Sequence, residues 1–159
     1  MSVLVRISLG ALSTQRLPHG LSPAPAASLQ APARKSQSNS AIDCVENISA
    51  PAIEQVGATL VFEGIVRANE QGRAIRALLY EAYEPMATNS LTQLANDILS
   101  KHALIAITVE HSRGEVLAGE RSFRLAIDSP HRKEALAAMD EFIDRMKRDI
   151  PIWKSPIYI

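Results

Sequence analysis

Residues 131–154 have the sequence HRKEALAAMDEFIDRMKRDIPIWK, and this stretch decides how we expect the chain to fold. Apolar residues recur at helical spacing along residues 131–148, at Ala135, Met139, Phe142, Ile143 and Met146. Because Pro151 and the residue before it resist helix, the chain should leave the helix between Lys147 and Lys154. Two flexible cations brought together in this way suit an anionic ligand or a proton transfer, although two solvated lysines would give the same pattern.

The elements upstream of this helix alternate between strands and helices. We predict a short helix over residues 43–56, a second over 85–101, and strands over 58–66, 75–83, 105–110 and 122–128. Gly72 lies between the first two strands and suggests a hairpin-like connection. Ser129 and Pro130 are suited to begin the last helix as N-cap and first helical residue. This order of elements indicates an α+β fold.

The composition excludes several classes of protein. The chain has 159 residues, of which 47% are hydrophobic, so it is long enough for one domain with a real core. The sequence contains no run of about 18 apolar residues, which is the length that a membrane-spanning helix needs. Residues 43–159 carry a net charge of −4, which argues against general nucleic-acid binding. Cys44 is the single cysteine, so neither an intrachain disulfide nor a zinc cluster is indicated.

The first 41 residues differ in composition from the remainder. They are rich in Ser, Ala and Pro, and they include basic residues but no acidic one. Such a segment buries too little apolar surface to offset the entropy of ordering it, and it also resembles an organellar transit peptide. We therefore predict a disordered or targeting-like extension over residues 1–41 and a folded domain over 42–159. The expected location is the cytoplasm, or an organelle if the extension is a transit peptide.

A second cationic group lies at the predicted start of the last helix. His131 and Arg132 occupy a helix end that carries partial positive charge, where an anion would bind favourably. Arg67 at the end of the first strand is a further candidate for an anion, although an exposed rim charge is equally compatible. His131 and Lys147 are roughly 24 Å apart along one helix, so one small substrate cannot contact both. Either there are two sites, or two copies of the chain build composite pockets in a symmetric dimer.

The chain resembles the MoaE family, the catalytic (large) subunits of molybdopterin synthase. The resemblance extends from about Gly57 to Lys154. It is carried by FEGIVR at 62–67, LYEAY at 79–83, HSRGEV at 111–116, SPHR at 129–132 and PIWK at 151–154, in this order and spacing.

This resemblance implies an α/β hammerhead-type fold, with a mostly antiparallel sheet and flanking helices. It implies a sulfurtransferase that moves sulfur from the C-terminal thiocarboxylate of a small ubiquitin-like carrier, which ends in Gly-Gly, to cyclic pyranopterin monophosphate. The product is the dithiolene of molybdopterin. The expected assembly is a homodimer within a heterotetramer, with no metal, no organic cofactor, no nucleic acid and no membrane.

The resemblance also implies roles for five residues. Lys147 and Lys154 correspond to the catalytic lysines, and the substrate-binding set comprises Arg67, His131, Arg132, Lys147 and Lys154. His131 and Arg132 would come from the partner subunit and hold the pterin phosphate. The alternative is a non-catalytic dimeric module that binds the carrier or the pterin, because only residues 155–159 follow Lys154 where the family continues with a longer tail. An unrelated phosphate-ester enzyme has no support, since no metal-ligand set or nucleophile–base pair is evident.

Overall fold

The computed structural model describes residues 1–13 and 54–159. In chain order, the elements of these residues are β1 (Ser2–Leu9), β2 (Ala58–Ile65), β3 (Asn69–Glu70), β4 (Arg73–Ala82), α1 (Met86–Lys101), β5 (Ala106–Leu117), β6 (Arg121–Ser129), α2 (Arg132–Asp149) and β7 (Ile152–Tyr158). The short helix predicted over residues 43–56 lies almost entirely outside the described residues.

The strands form one sheet in which antiparallel pairing dominates. Its order is β2-β6-β5-β4-β3, with β1 paired to β5 and β7 paired to β4. The β1–β5 pair is parallel, and every other pair among the described strands is antiparallel. The predicted α+β fold, with a mostly antiparallel sheet and flanking helices, is thus confirmed.

The main core lies between the two helices and one face of the sheet. The α1 side chains predicted to face inward are all buried: Leu91, Leu94, Ala95 and Ile98. On α2, Ala135, Ala138 and Phe142 are fully buried. These residues pack against alternate side chains of the two central strands, Ile107, Val109, Phe123, Leu125 and Ile127. The inward-facing apolar side chains of the strands, which alternate along the chain, and those of the helices, which recur every three or four residues, therefore form a single apolar layer.

A smaller apolar cluster stabilises the opposite end of the sheet, where β4 pairs with β7. Val66, Ile75, Leu78 and Val116 form it, and Tyr80 and Tyr158 pack against it. The pairing of β4 with β7 returns the C-terminal segment across the sheet, beside the end of α2. This return path positions the candidate site.

The first described segment differs from our prediction of a disordered or targeting-like extension over residues 1–41. Residues Ser2–Leu9 form β1, in parallel register with β5. Val3 and Val5 pack against the main core, so alternate apolar residues give this strand a buried side despite its Ser-, Ala- and Pro-rich surroundings. For residues 14–41, which lie outside the described residues, the extension remains a prediction.

One predicted connection and one predicted strand end are also wrong. The expected hairpin between the first two strands is not formed, because β2 pairs with β6 while β4 pairs with the two-residue β3, with β5 and with β7. The third strand does not end at residue 110 but continues to Leu117, through Gly114, whose φ of 81° only glycine adopts readily. The motif HSRGEV at 111–116 therefore belongs to β5.

The start of the last helix differs by two residues from the prediction. His131, with extended backbone angles, is the N-cap of α2, and no side-chain hydrogen bond caps the helix. Ser129, the predicted N-cap, instead ends β6, and its Oγ accepts a hydrogen bond of 3.4 Å from the main-chain N–H of His131. Neither helix in the described part of the chain is long and apolar enough to cross a membrane.

Candidate active site

A cavity of about 740 Å³, called the central cavity below, lies where the end of α2 meets the sheet. Six strands, α2 and the turn after β2 contribute to its lining. Phe62, Tyr80 and Phe123 give it aromatic walls, and cationic and acidic side chains complete it. A cavity of this size accommodates a small molecule or the end of a peptide.

Lys147 and Lys154 both line the central cavity. Lys147 lies in the last turn of α2. The helix ends because Ile150 takes extended backbone angles, φ −92° and ψ 131°, before Pro151. The chain then enters β7, which places Lys154 opposite Tyr80 of β4. The prediction that the chain leaves the helix between the lysines and folds back is confirmed.

Arg67 also lines the central cavity, and it shares an acidic partner with Lys154. Lys154 Nζ donates a hydrogen bond of 2.9 Å to Glu70 Oε1, and Arg67 Nη2 lies 3.5 Å from Glu70 Oε2. The hydrogen bond from Lys154 is the main reason why the pKa of Glu70 lies below its usual value. One carboxylate therefore bridges two of the three cations at the cavity.

Lys147 differs from the other two cations because no acidic partner for it is found in the part of the chain that the structure describes. Among residues 1–13 and 54–159, no hydrogen bond or ion pair engages its ammonium group. Its neighbours Arg148 and Asp149 instead pair with each other, at 2.7 Å between Nε and Oδ1. Lys147 is thus available to an incoming ligand in a way that Lys154 is not.

A buried histidine adds a titratable group to the wall of the central cavity. The imidazole of His111 is only 6% exposed and lies between Tyr80 and Phe123, at centroid distances of 5.4 and 5.6 Å. Its Nδ1 is 2.8 Å from the carbonyl oxygen of Ser112. Since a carbonyl can only accept, Nδ1 carries the proton and Nε2 holds the lone pair. Burial lowers the pKa of His111, which favours this neutral form.

A buried charge network on the neighbouring strands lies behind one edge of the central cavity. Arg124 is 3% exposed and donates to Glu110 at 2.9 Å and to Glu63, a lining residue, at 2.9 Å. Arg121 Nε donates to the other oxygen of Glu63 at 2.8 Å, and this bond is the main cause of the lowered pKa of Glu63. Because arginines occupy both of its oxygens, Glu63 is not a second counter-ion for the lysines.

His131 and Arg132 line a different cavity, of about 490 Å³, at the start of α2. We call it the helix-start cavity. Gly57 forms its other wall and donates its N–H to the carbonyl of Ser129 at 3.0 Å. A Cβ at this glycine would overlap with the carbonyl oxygen of Pro130, so the approach needs glycine. Within one chain, therefore, this pair does not join the lysines.

The structure thus brings together three of the five predicted site residues, Arg67, Lys147 and Lys154, and leaves His131 and Arg132 apart. Two lining residues were missed. Glu70 lies in the polar connection between the first two predicted strands, and His111 directly follows the strand predicted over residues 105–110. A strand extended to Leu117 would have placed His111 on the same face as Val109, and this alternation was the available signal.

The described residues contain no group of three or more His, Cys, Asp or Glu side chains placed to hold a metal ion. The chemistry that the central cavity offers is cationic and hydrogen-bonding: one unpaired ammonium, two cations bridged by a carboxylate, and a neutral imidazole. Such a set binds an anion and can move a proton.

Comparison with known proteins identifies relatives for most of this domain. The family model described as "MoaE protein" matches residues 36–149, so Lys154 and β7 lie beyond the match. A curated relative from Drosophila melanogaster, named "Molybdopterin synthase catalytic subunit", is 40% identical over 121 residues, which are 76% of this chain and 33% of that protein. The chain spans about a third to three fifths of the length of the first curated relatives that it matches.

Two solved structures share both fold and sequence. Molybdopterin synthase from Staphylococcus aureus is 37% identical with a TM-score of 0.62, covering 67% of this chain and 77% of that chain. A complex of subunits 1 and 2 of molybdopterin-converting factor from Helicobacter pylori 26695 is 30% identical with a TM-score of 0.56, covering 67% and 74%.

Proposed function

The chain belongs to the MoaE protein family, and on this premise we propose that it is the catalytic subunit of a molybdopterin synthase. It transfers sulfur from the C-terminal thiocarboxylate of a small ubiquitin-like carrier to cyclic pyranopterin monophosphate, and so makes the dithiolene of molybdopterin. The names of its relatives support the family role. The sulfur transfer itself is supported by the chemistry of the central cavity.

The observation that carries this proposal is the ammonium of Lys147, which no described residue engages, beside two further cations in one cavity. The end of a peptide that carries a negatively charged thiocarboxylate fits such a site by charge and by size. The sulfur of the carrier is itself the nucleophile: it forms a bond to a substrate carbon as a carbon–oxygen bond of the substrate breaks, and water then hydrolyses the resulting thioester, so the carrier leaves as a carboxylate. The protein therefore need not supply a nucleophile. The cavity must hold the anion and move protons, and its residues are suited to both tasks.

Each cation then has a distinct task. Lys147 acts on protons at the reacting group, since its ammonium has no hydrogen-bond or ion-pair partner among the described residues. Lys154 and Arg67 neutralise the carrier carboxylate or an anionic oxygen of the substrate, a task that needs charge and hydrogen bonds. The ion pairs with Glu70 show that both side chains already hold a carboxylate group.

His131 and Arg132 serve the substrate phosphate from a second copy of the chain. Both line the helix-start cavity at the N-terminus of α2, where free main-chain N–H groups and the helix dipole favour an anion. The length of α2 separates them from Lys147 within one chain. A two-fold dimer that brings one helix start to the central cavity of its partner resolves this separation and creates two equal sites.

The carrier is the second proposed partner. The Helicobacter pylori structure describes a complex of two different subunits, and this chain aligns with 74% of the matched chain. We expect a small carrier to insert its C-terminal tail into the central cavity, and we expect the two carriers and the dimer to form a heterotetramer.

The test is a sulfur-transfer assay with this chain, a thiocarboxylated carrier and cyclic pyranopterin monophosphate, with dithiolene formation as the readout. We expect Lys147→Ala to lower turnover roughly 100-fold or more. Lys101→Ala is the matched control, because Lys101 pairs with Glu141 on the surface and lines neither described cavity. Wild-type turnover in Lys147→Ala would overturn the assignment of this lysine. Carrier binding without any product would instead favour a non-catalytic binding module.

A further inference from the structure

Glu70 occupies the position at which an anionic ligand would meet two of the three cavity cations. Its carboxylate bonds Lys154 at 2.9 Å through one oxygen and approaches Arg67 to 3.5 Å through the other. The Glu70 side chain is 18% exposed, whereas those of Lys154 and Arg67 are 51% and 78% exposed. The carboxylate is therefore held in the cavity wall, and the cations extend towards it from the solvent side.

The backbone that carries Glu70 is fixed by a tight hairpin. Glu70 ends β3 and is paired with Arg73 across a two-residue turn of Gln71 and Gly72. Their φ values of 52° and 78° are those of the turn type that best suits a two-residue hairpin. Glu70 can consequently leave the two cations by rotation of its side chain alone, without unfolding a strand.

We propose that Glu70 is a built-in counter-ion which a bound anion displaces from Lys154 and Arg67, so that Glu70 determines which ligands the central cavity accepts. A neutral ligand cannot replace the charge that Lys154 and Arg67 would lose. A carboxylate, thiocarboxylate or phosphate can, because it offers the same charged acceptor oxygens or sulfur. The identification of the natural ligand as a carrier thiocarboxylate rests on the proposed function; the competition by Glu70 does not.

Competition by Glu70 predicts the direction in which the affinity for an anion changes when Glu70 is substituted. Removing the charge of Glu70 while keeping its shape frees both cations, so an anion no longer has to break two existing ion pairs. If Glu70 instead served to hold Lys154 and Arg67 in place for the ligand, its removal would weaken binding. The two roles therefore predict opposite changes in affinity for the same substitution.

The experiment measures binding by calorimetry to the full chain and to its Glu70→Gln variant. The first probe is inorganic phosphate, and the second is a peptide that ends in Gly-Gly with a free carboxylate, compared with its C-terminal amide. Glu115→Gln is the matched control, because Glu115 forms an exposed pair with Arg76 at 3.4 Å and lines neither described cavity.

We expect Glu70→Gln to bind phosphate about two- to tenfold more tightly than the wild type, in line with the modest strength of partly exposed ion pairs. Glu115→Gln should leave the affinity unchanged. Equal, weaker or undetectable phosphate binding in Glu70→Gln overturns the proposal. The peptide separates this proposal from the proposed function: tighter phosphate binding without any preference for the free carboxylate over the amide would support the role of Glu70 and count against the carrier as ligand.

Discussion

Lys147 and Lys154 line the same cavity, but among residues 1–13 and 54–159 only Lys154 has a carboxylate partner, Glu70, at 2.9 Å. The two lysines therefore differ in what their ammonium groups can do. The ammonium of Lys154 is held in an ion pair with Glu70, whereas the ammonium of Lys147 is engaged by no other side chain of the described residues. This difference follows from the end of α2, since one lysine remains in the helix and the other lies on the returning strand.

The first prediction separates proton transfer from charge neutralisation. Arginine keeps the positive charge of lysine but does not release its proton near neutral pH. Lys147→Arg should therefore lose sulfur transfer nearly as completely as Lys147→Ala, by roughly 100-fold in kcat. Lys154→Arg should stay within about tenfold of the wild type, because arginine still bonds a carboxylate. Steady-state kinetics with a thiocarboxylated carrier measures both variants, and the reverse order of activities would contradict the assignment.

The second prediction concerns the buried network around Arg124. Its guanidinium lies within 2.9 Å of both Glu63 and Glu110, and it is almost fully buried. Arg124→Met leaves the buried Glu110 without this arginine and removes one of the two arginines that bond Glu63, so we expect a loss of about 3–5 kcal/mol in the free energy of unfolding. Arg76→Met removes an exposed pair and should cost less than about 1 kcal/mol. Urea unfolding of both variants measures the difference, and similar losses would show that the network adds no special stability.

The sequence predicts the helices and the three cations of the central cavity because each follows a short-range rule. The helical spacing from Leu91 to Ile98 identifies the buried side of α1, and Pro151 marks the change of direction that brings Lys154 back towards Lys147. Arg67 lies two residues after the end of β2, so the end of that strand determines its place. None of these inferences needs knowledge of the distant strand pairing.

The features that were not predicted depend on that pairing. Arg124 lies between the apolar residues Phe123 and Leu125 on β6, and this alternation predicts an exposed charge. The Arg124 side chain is nevertheless buried, and its Nη2 donates a hydrogen bond of 2.8 Å to the carbonyl oxygen of Ser13. Trp153 is a large aromatic residue, yet it is 58% exposed. Glu70 reaches Lys154 across 84 positions of the chain, a contact that no local pattern reveals. Long-range register, rather than local propensity, decides each of these cases.

The third prediction uses the lowered pKa of His111. Burial favours the neutral imidazole in the folded chain, whereas the unfolded chain binds a proton at the usual pKa of about 6.5. The unfolded state therefore binds more protons as the pH falls below about 6.5, and stability should decrease by up to about 1.4 kcal/mol per pH unit until the folded pKa is reached.

His111→Phe should remove this part of the pH dependence, because phenylalanine fills the space between Tyr80 and Phe123 without titrating. Urea unfolding of both proteins at several pH values measures the two slopes. Nitrogen-15 NMR provides an independent check, since at pH 6.5 it should detect His111 mostly in the neutral form, with the proton on Nδ1. A titration of His111 at or above pH 6.5 would be incompatible with this account.

The last prediction tests whether two copies of the chain complete one site. Lys147 lines the central cavity, and Arg132 lines the helix-start cavity. If each site takes its lysine from one copy and its arginine from the other, Lys147→Ala and Arg132→Ala homodimers are both defective at every site. A mixed dimer, however, contains one site with neither substitution and one site with both.

Random exchange of subunits at equal concentrations makes half of the dimers mixed, so activity should return to about a quarter of the wild-type value. Size-exclusion chromatography with light scattering checks that dimers form, and mixing each variant with itself provides the baseline. Activity that stays at this baseline, although mixed dimers are detected by mass spectrometry, would place Lys147 and Arg132 in separate sites. In that case the helix-start cavity would not contribute to the sulfur transfer, because α2 holds the two residues too far apart within one chain.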